Sequence, residues 1–145
     1  MLTDEFFMRE ALKLAAEAGE AGEIPVGAVV VCGRRIIGKG RNQTEALRDV
    51  TAHAELLALT AASEYLGGKF LKDCTLYVTL EPCPMCAGAL YWAQLGRLVY
   101  GASDEKRGFT RLASVLLHPK TRVTAGILGD ECAELVRSFF QHLRT

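Results

Sequence analysis

The chain has 145 residues, a length that suits one domain, and half of them are hydrophobic, so a sizeable core can form without disulfide bonds. Seventeen basic residues balance seventeen acidic ones, which argues against a strongly basic nucleic-acid-binding protein and leaves a local basic patch open. No apolar run approaches the roughly 18 residues of a membrane span, and the N-terminus lacks the layout of a signal peptide. We therefore expect one domain over residues 1–145, located in the cytoplasm, with no membrane partner and with reduced cysteines.

Hydrophobic periodicity in the first half of the chain predicts a helix, a hairpin and a second helix. Apolar residues at helical spacing predict the first helix over residues 4–21. Two short apolar runs around a tight turn predict a hairpin within residues 26–41. Helical composition then extends over residues 49–66, with Asp49 or Thr51 as the expected N-cap.

The second half of the chain alternates between strands and helices, which predicts a layered α/β fold. The predicted strands cover residues 75–80, 97–100 and 122–125. The predicted helices cover residues 84–95, where Pro84 fits the first turn, and residues 130–143. Residues 103–120 are expected to form a loop with a short helix.

Two segments carry the residues that bind metals. His53 begins the sequence His-Ala-Glu, and Cys83 and Cys86 form a C-x-x-C motif; both segments lie at predicted helix N-termini. A C-x-x-C pair also occurs in redox proteins, but here a histidine supplies a third ligand. Three ligands with one open position are typical of a catalytic zinc site, and thiolates and imidazole suit zinc better than magnesium or calcium. We therefore predict that His53, Cys83 and Cys86 bind zinc.

Glu55 is the predicted catalytic proton shuttle. It lies two residues from His53, so on a helix it points away from the ligand and stands beside the open zinc position instead. Zinc lowers the pKa of bound water from about 15.7 toward roughly 7, and the resulting hydroxide can attack a ring carbon that bears an amino group. A carboxylate there can move the protons of this reaction. The combination of H-x-E with P-C-x-x-C is typical of zinc-dependent nucleobase deaminases.

At these residues the sequence resembles the cytidine deaminase superfamily, and within it the bacterial tRNA adenosine deaminases. The resemblance runs over nearly the whole chain, in the blocks 24–29, 40–42, 51–55, 79–89, 100–102 and 126–132. It implies a three-layer α/β/α cytidine-deaminase-like fold with a five-stranded mixed sheet. It also implies one Zn²⁺ ion per subunit, a homodimer, and hydrolytic deamination of adenosine to inosine at the wobble position of a tRNA anticodon stem-loop.

The resemblance further implies which residues bind the substrate. Asn42 would hydrogen-bond the target base, and the backbone N–H of Ala54 would contact the exocyclic side of the purine. Asp104 would meet the ribose of a neighbouring nucleotide, where a 2′-OH marks RNA. The walls of the base pocket would be Pro25, Val26 and Leu80.

Basic residues are concentrated in the stretch from Arg97 to Arg122, although the whole chain is neutral. This stretch holds six basic and two acidic residues, a net charge of +4. Such a stretch beside the pocket can steer a phosphate backbone, although it is equally compatible with a solvated loop. Phe109 within it is a candidate for stacking on a base or for packing in the core.

Two alternatives remain open on the sequence. Pro84 and residues 90–93 resemble bacterial guanine deaminases of the same superfamily, and the neutral charge also favours a small-molecule deaminase acting on guanine, cytosine or a nucleoside. The block 126–132 resembles the tRNA enzymes instead and favours the RNA substrate. The other alternative is a non-catalytic module that binds zinc or RNA. Glu55 argues against it, because a structural zinc site needs no proton shuttle.

Overall fold

The structure is a computed structural model that describes residues 2–112 and 115–144. Helices and strands alternate along this part of the chain. The helices are α1 (Asp4–Glu20), α2 (Ala54–Leu66), α3 (Pro84–Ala93) and α4 (Gly129–Arg144). The strands are β1 (Gly27–Cys32), β2 (Arg35–Arg41), β3 (Cys74–Leu80), β4 (Arg97–Ala102) and β5 (Arg122–Ala125). A single 3₁₀ turn, Phe109–Arg111, interrupts the long connection between β4 and β5.

The five strands form one mixed sheet in the order β2-β1-β3-β4-β5. Strand β1 pairs antiparallel with both β2 and β3, whereas β3–β4 and β4–β5 are parallel pairs. The expected five-stranded mixed sheet is therefore confirmed, as is the hairpin that begins it. Residues alternate between the two faces, so Val30 and Val78 enter one core while Val29 and Tyr77 enter the other.

Helices cover both faces of the sheet and make three layers. On one face α2 and α3 pack against the sheet through small and aliphatic side chains, including Ala58, Ala62, Ala87 and Leu90. On the other face α1 contributes Phe7, Met8 and Ala11, and α4 contributes Cys132. In the described part of the chain, no helix is both long and apolar enough to cross a membrane.

One edge of the sheet collects the ends of four strands. Because β3 and β4 are parallel, their last residues Leu80 and Ala102 are register partners. The antiparallel hairpin brings the beginning of β1 and the end of β2 to the same edge, where Gly27 pairs with Arg41. The backbone N–H of Gly27 donates to the hydroxyl of Thr79 near the end of β3 (3.2 Å). The segments that follow or precede these ends therefore lie close together.

Helix α2 begins later than the sequence suggests. It starts at Ala54 with His53 as N-cap, so the expected N-cap at Asp49 or Thr51 is wrong. Instead Asp49 Oδ1 accepts hydrogen bonds from the backbone N–H (2.8 Å) and the hydroxyl (2.7 Å) of Thr51. Such side-chain bonds offer the backbone an alternative to the helix, which explains why helical composition alone placed the boundary too early.

Two glycines of β2 allow α2 to lie directly against the sheet. A Cβ atom on Gly40 would fall 2.2 Å from the carbonyl oxygen of Ala54, and one on Gly38 would fall 2.4 Å from that of Ala58. Both contacts are with backbone, which cannot rotate away. The close approach fixes the first turn of α2 relative to the strand.

We predict that Gly40→Ala lowers the free energy of unfolding by about 3 kcal/mol, the upper end of the usual cost of overpacking, because the added methyl group pushes α2 off the sheet. Gly68→Ala is the matched control, since its Cβ would meet nothing within 4 Å; its effect should stay within about 0.5 kcal/mol. Urea unfolding of both variants measures the difference, and equal midpoints would contradict the packing argument.

Candidate active site

Two helix N-termini bring three metal-ligating side chains together at the crowded edge of the sheet. His53 is the N-cap of α2, Cys83 is the N-cap of α3, and Cys86 lies in the first turn of α3. The Nδ1 atom of His53 is 3.7 Å from Sγ of Cys83 and 3.4 Å from Sγ of Cys86. All three ligand atoms lie within 4.8 Å of one another. The structure thus brings together the three predicted metal ligands.

The spacing of these atoms fits a tetrahedral zinc ion. Zinc binds thiolate sulfur at about 2.3 Å and imidazole nitrogen at about 2.0 Å, so neighbouring ligands of a tetrahedral ion lie about 3.5–3.8 Å apart. The two sulfur–nitrogen distances match this range closely. Three protein ligands leave one tetrahedral position for water or substrate, the arrangement of a catalytic site rather than a structural one.

The two cysteines shift each other's pKa in opposite directions. Hydrogen bonds from Cys86 and from His53 stabilise the Cys83 thiolate and lower the pKa of Cys83 to about 4. The bond to Cys83 and burial raise the pKa of Cys86. The thiolate of Cys83 also raises the pKa of His53, chiefly through their hydrogen bond. The N-terminal dipoles of α2 and α3 favour negative charge here, and a divalent cation is the group that would let both sulfurs ionise.

Glu55 lies in the first turn of α2, next to the three ligands. Its side chain is 4% exposed. Burial raises the pKa of its carboxyl group to about 7, against a smaller lowering by the charge on His53. A carboxyl group with this pKa can both accept and release a proton at neutral pH, which is the property a proton shuttle needs.

A cavity of about 180 Å³ opens beside this group. It is smaller than the roughly 300–1,000 Å³ of sites for drug-sized ligands, so it suits one small group. Its lining residues are Ile24, Val26, Asn42, Thr44, His53, Glu55, Leu80, Glu81, Cys83, Asp104 and Arg107. Of the predicted substrate contacts, the cavity therefore collects Asn42, Val26, Leu80 and Asp104.

The remaining predicted contacts lie just behind the cavity. The N–H of Ala54 donates to Oδ1 of Asn42 (3.2 Å), so this N–H orients Asn42. Pro25 is fully buried and does not line the cavity; its role as a wall stays a prediction. Phe109 packs edge-on against Tyr100, with ring centroids 6.2 Å apart, and joins the core beneath α3.

Four lining residues are not assigned to the site by the sequence: Ile24, Thr44, Glu81 and Arg107. Glu81 is buried, and its carboxylate accepts hydrogen bonds from Asp104 and from Thr110. Arg107 was identified as part of a basic stretch and not as a wall of the site. A signal for Glu81 was present, since a charged residue directly after the apolar strand β3 needs buried partners or a functional role.

Comparison with known proteins places this site in a family. The family model described as MafB19-like deaminase matches residues 2–144. The chain is 42% identical over 149 residues to the tRNA-specific adenosine deaminase of Bacillus subtilis, an alignment that covers 99% of this chain and 92% of that protein. It is also 51% identical to the tRNA(Ile)-lysidine synthase of Deinococcus deserti over 94% of its own length, but it spans 27% of that protein.

Solved structures share the fold. A structure described under studies of A-to-I editing by tRNA:A34 deaminases at the wobble position of transfer RNA superimposes with a TM-score of 0.84 at 43% identity, covering 90% of this chain and 98% of the other. A guanine deaminase from Bacillus subtilis has a TM-score of 0.65 at 46% identity, covering 68% of this chain and 64% of the other. The cytidine-deaminase-like fold expected from the sequence is thereby confirmed.

We predict that Cys86→Ala abolishes tight zinc binding, because two ligands of one helical turn are reduced to one. Metal analysis after gel filtration should give about one zinc ion per subunit in the wild type and less than about a tenth of that in the variant. Cys32→Ser removes a half-buried cysteine outside the ligand group and should keep full occupancy. Full zinc occupancy in Cys86→Ala would contradict the ligand assignment.

Proposed function

The chain belongs to the MafB19-like deaminase family, and on that premise we propose that it deaminates adenosine to inosine at the wobble position of a tRNA anticodon. The observation that carries this proposal is the position of Glu55. Its buried carboxyl group shares a small cavity with His53 and Cys83 of the ligand group and with Asp104 and Arg107. Proton transfer, metal binding and contacts to ribose and phosphate are thus available at one place.

His53, Cys83 and Cys86 would hold one Zn²⁺ ion per subunit. When bound, the ion supplies activation of a water molecule as the nucleophile. Glu55 takes a proton from the attacking water and gives it to the ring nitrogen of the base. The carboxylate then takes the proton of the hydroxyl group now on the ring carbon and delivers it to the amino group, so that the carbon–nitrogen bond breaks and ammonia leaves. The oxygen of the water stays on the ring carbon, which gives inosine.

Asn42 positions the base for this reaction. Its Oδ1 atom is engaged by the N–H of Ala54, which fixes the plane of the amide. The NH₂ group of the same side chain is left to donate to an acceptor on the base. Val26 and Leu80 supply apolar surface for the faces of the ring.

Asp104 and Arg107 favour RNA over a free base. Asp104 Oδ1 accepts from the backbone N–H groups of Lys106 (3.1 Å) and Arg107 (3.0 Å), and its other oxygen can accept from a ribose 2′-OH. The exposed guanidinium of Arg107 can bind a phosphate at the mouth of the cavity. A free base offers neither ribose nor phosphate, so only a nucleotide would engage both of these walls.

A guanine deaminase is the second candidate. It is favoured by Pro84 and residues 90–93, and by the likeness to the Bacillus subtilis enzyme. The catalytic group would be the same, because guanine also carries an amino group on an electron-poor ring carbon. The difference lies in whether the 103–111 loop (residues 103–111, which follow β4 and end with the 3₁₀ turn) contacts a polynucleotide or closes over a small molecule.

We also infer a homodimer formed through α3. Met85 and Trp92 are seven residues apart and share one side of the helix, and Trp92 is 76% exposed. Gly88 and Ala89 lie between them and would let a second helix approach closely. A second copy of the chain would bury this apolar side. We assign the reaction to the cytoplasm, where a reducing environment keeps Cys83 and Cys86 available as zinc ligands.

The substrate is tested by incubating the zinc-loaded protein with an anticodon stem-loop that carries adenosine at the wobble position, with free guanine in a parallel reaction. We expect inosine from the stem-loop and no ammonia from guanine. Glu55→Gln should keep its zinc and lose about 10²–10⁴-fold in turnover, the usual contribution of a general acid–base group. Mass spectrometry of the nucleosides and an ammonia assay give both readouts.

Each other result has a definite meaning. Ammonia from guanine alone would replace the tRNA proposal by the guanine deaminase. Zinc binding without turnover of any amino-bearing base would identify a non-catalytic module. Unchanged turnover in Glu55→Gln would remove Glu55 from the mechanism.

The dimer is tested with Trp92→Glu, which places a charge in the centre of the inferred interface. Light scattering after gel filtration should give the mass of two chains for the wild type and of one chain for the variant. Val50→Glu is the control, because Val50 is 83% exposed on a different segment and should leave the dimer intact. A wild-type mass of one chain would refute the inference.

A further inference from the structure

Glu81 joins the two halves of the candidate site. Its side chain is 4% exposed, and both carboxylate oxygens are engaged. Oε1 accepts from the backbone N–H of Asp104 (3.1 Å). Oε2 accepts from the backbone N–H (2.9 Å) and the hydroxyl (2.7 Å) of Thr110. Through these bonds the Glu81 carboxylate holds both ends of the 103–111 loop. Glu81 itself lies two positions before Cys83.

The path of the loop is built around this carboxylate. A Cβ atom on Gly108 would fall 2.2 Å from Cδ of Glu81, so the backbone passes directly over the carboxyl group. Backbone hydrogen bonds support the same arrangement: Glu81 N–H donates to Ala102 (2.8 Å), and Phe109 N–H donates to Pro82 (2.9 Å). A glycine at position 108 is required for this approach, because any side chain would displace the carboxylate.

Apart from Phe109, which packs against the core, the middle of the loop is held mainly by bonds within it, from the N–H of Gly108 to the carbonyl of Asp104 (3.0 Å) and from Arg111 to the carbonyl of Glu105 (3.3 Å). Residues 105–107 are exposed, and so is Thr110 apart from its contact with Glu81. Segments with few buried apolar contacts open locally at low free-energy cost. The hydrogen bonds to Glu81, together with the one from Phe109 to Pro82, therefore tie this segment to the stretch of chain that leads to Cys83.

The loop carries the two cavity walls that face ribose and phosphate. Asp104 donates its N–H to Glu81, while its own carboxylate orders the N–H groups of Lys106 and Arg107. The hydrogen bonds run from Glu81 through Asp104 to Arg107. A shift of the Glu81 carboxylate would move both walls together, without touching the three ligands or Glu55.

We propose that Glu81 is a positioning residue that holds the 103–111 loop as the ribose- and phosphate-binding wall, so that it sets the affinity for RNA and not the rate of the chemical step. The proposal rests on the proposed function for the identity of the substrate. It predicts that binding of the polynucleotide depends on an acceptor-only side chain at position 81. The three groups bound to Glu81 are all donors: the N–H of Asp104, and the N–H and hydroxyl of Thr110. A carboxylate can accept from all of them.

The first test is Glu81→Gln, which places an NH₂ group opposite a backbone N–H. We expect KM for the stem-loop to rise about tenfold, the loss of one charge-assisted hydrogen bond, while kcat stays within about twofold. Thr110→Val removes one hydroxyl donor and should raise KM about threefold. Thr110→Ser keeps the hydroxyl and is the matched control with wild-type KM. Zinc content should stay at one ion per subunit in all of them.

The second test measures the local opening of the 103–111 loop and needs no activity assay. Amide hydrogen exchange in peptides that cover residues 103–111 should be at least about tenfold faster in Glu81→Gln than in the wild type or in Thr110→Ser. Gly108→Ala keeps Glu81 but drives a methyl group onto its carboxyl carbon, so it should give the same exchange and the same rise in KM. Gly108→Ala also keeps the proposal testable if Glu81→Gln fails to fold.

The outcomes separate this proposal from the proposed function. Unchanged exchange in both variants, or unchanged KM with faster exchange, would overturn the positioning role. Loss of zinc together with kcat would instead make Glu81 a support of the Cys83 turn and would also overturn it. If the wild type forms no inosine, the proposed function fails, while faster exchange in Glu81→Gln would still establish that Glu81 holds the loop.

Discussion

The active site depends on the meeting of two helix N-termini at one edge of the sheet. The Nδ1 atom of His53 must come within 3.4–3.7 Å of the sulfur atoms of Cys83 and Cys86, which lie at the start of α3. This is possible because β3 leads directly into α3 and because β2, with glycines at positions 38 and 40, lets α2 lie against the sheet. Both helix starts then supply N–H groups and a favourable dipole for thiolates, so the same geometry that places the ligands also stabilises their charge.

Three glutamates are almost fully buried near this edge, and they differ in their surroundings. Glu23 accepts from Thr44, Glu45 and Ala46, and Glu81 accepts from both ends of the 103–111 loop. Burial of a charge is costly unless hydrogen bonds replace water, and loop donors do so for these two. For Glu55 burial is the dominant influence and raises the pKa to about 7. Two carboxylates therefore order loops beside the cavity, and the third keeps the raised pKa that its proposed role in proton transfer needs.

The chemistry of the site is predictable from the sequence because its metal-binding and proton-transfer residues form two short motifs. Cys83 and Cys86 are three residues apart, and His53 and Glu55 are two apart, so a motif records each pair. The alternation of strands and helices also predicts the layered α/β fold correctly. The start of α2 was predicted too early, because a turn closed by Asp49 looks like a helix cap in composition. The position of Glu81 directly after an apolar strand is a signal, but its partners lie 23–29 residues away, so no local motif shows what it binds.

Substrate choice and chemistry are located on different parts of this fold. The three ligands and Glu55 can act on any base that carries an amino group on an electron-poor carbon, so they do not distinguish adenosine in RNA from free guanine. A base in RNA must first be splayed out of its stack, which costs a few kcal/mol, least in a loop. Contacts to ribose and phosphate can offset this cost, and the proposed function assigns them to Asp104 and Arg107, which line the cavity. Because both lie on a loop tied to Glu81, changes in that loop can alter the substrate while the catalytic group stays the same.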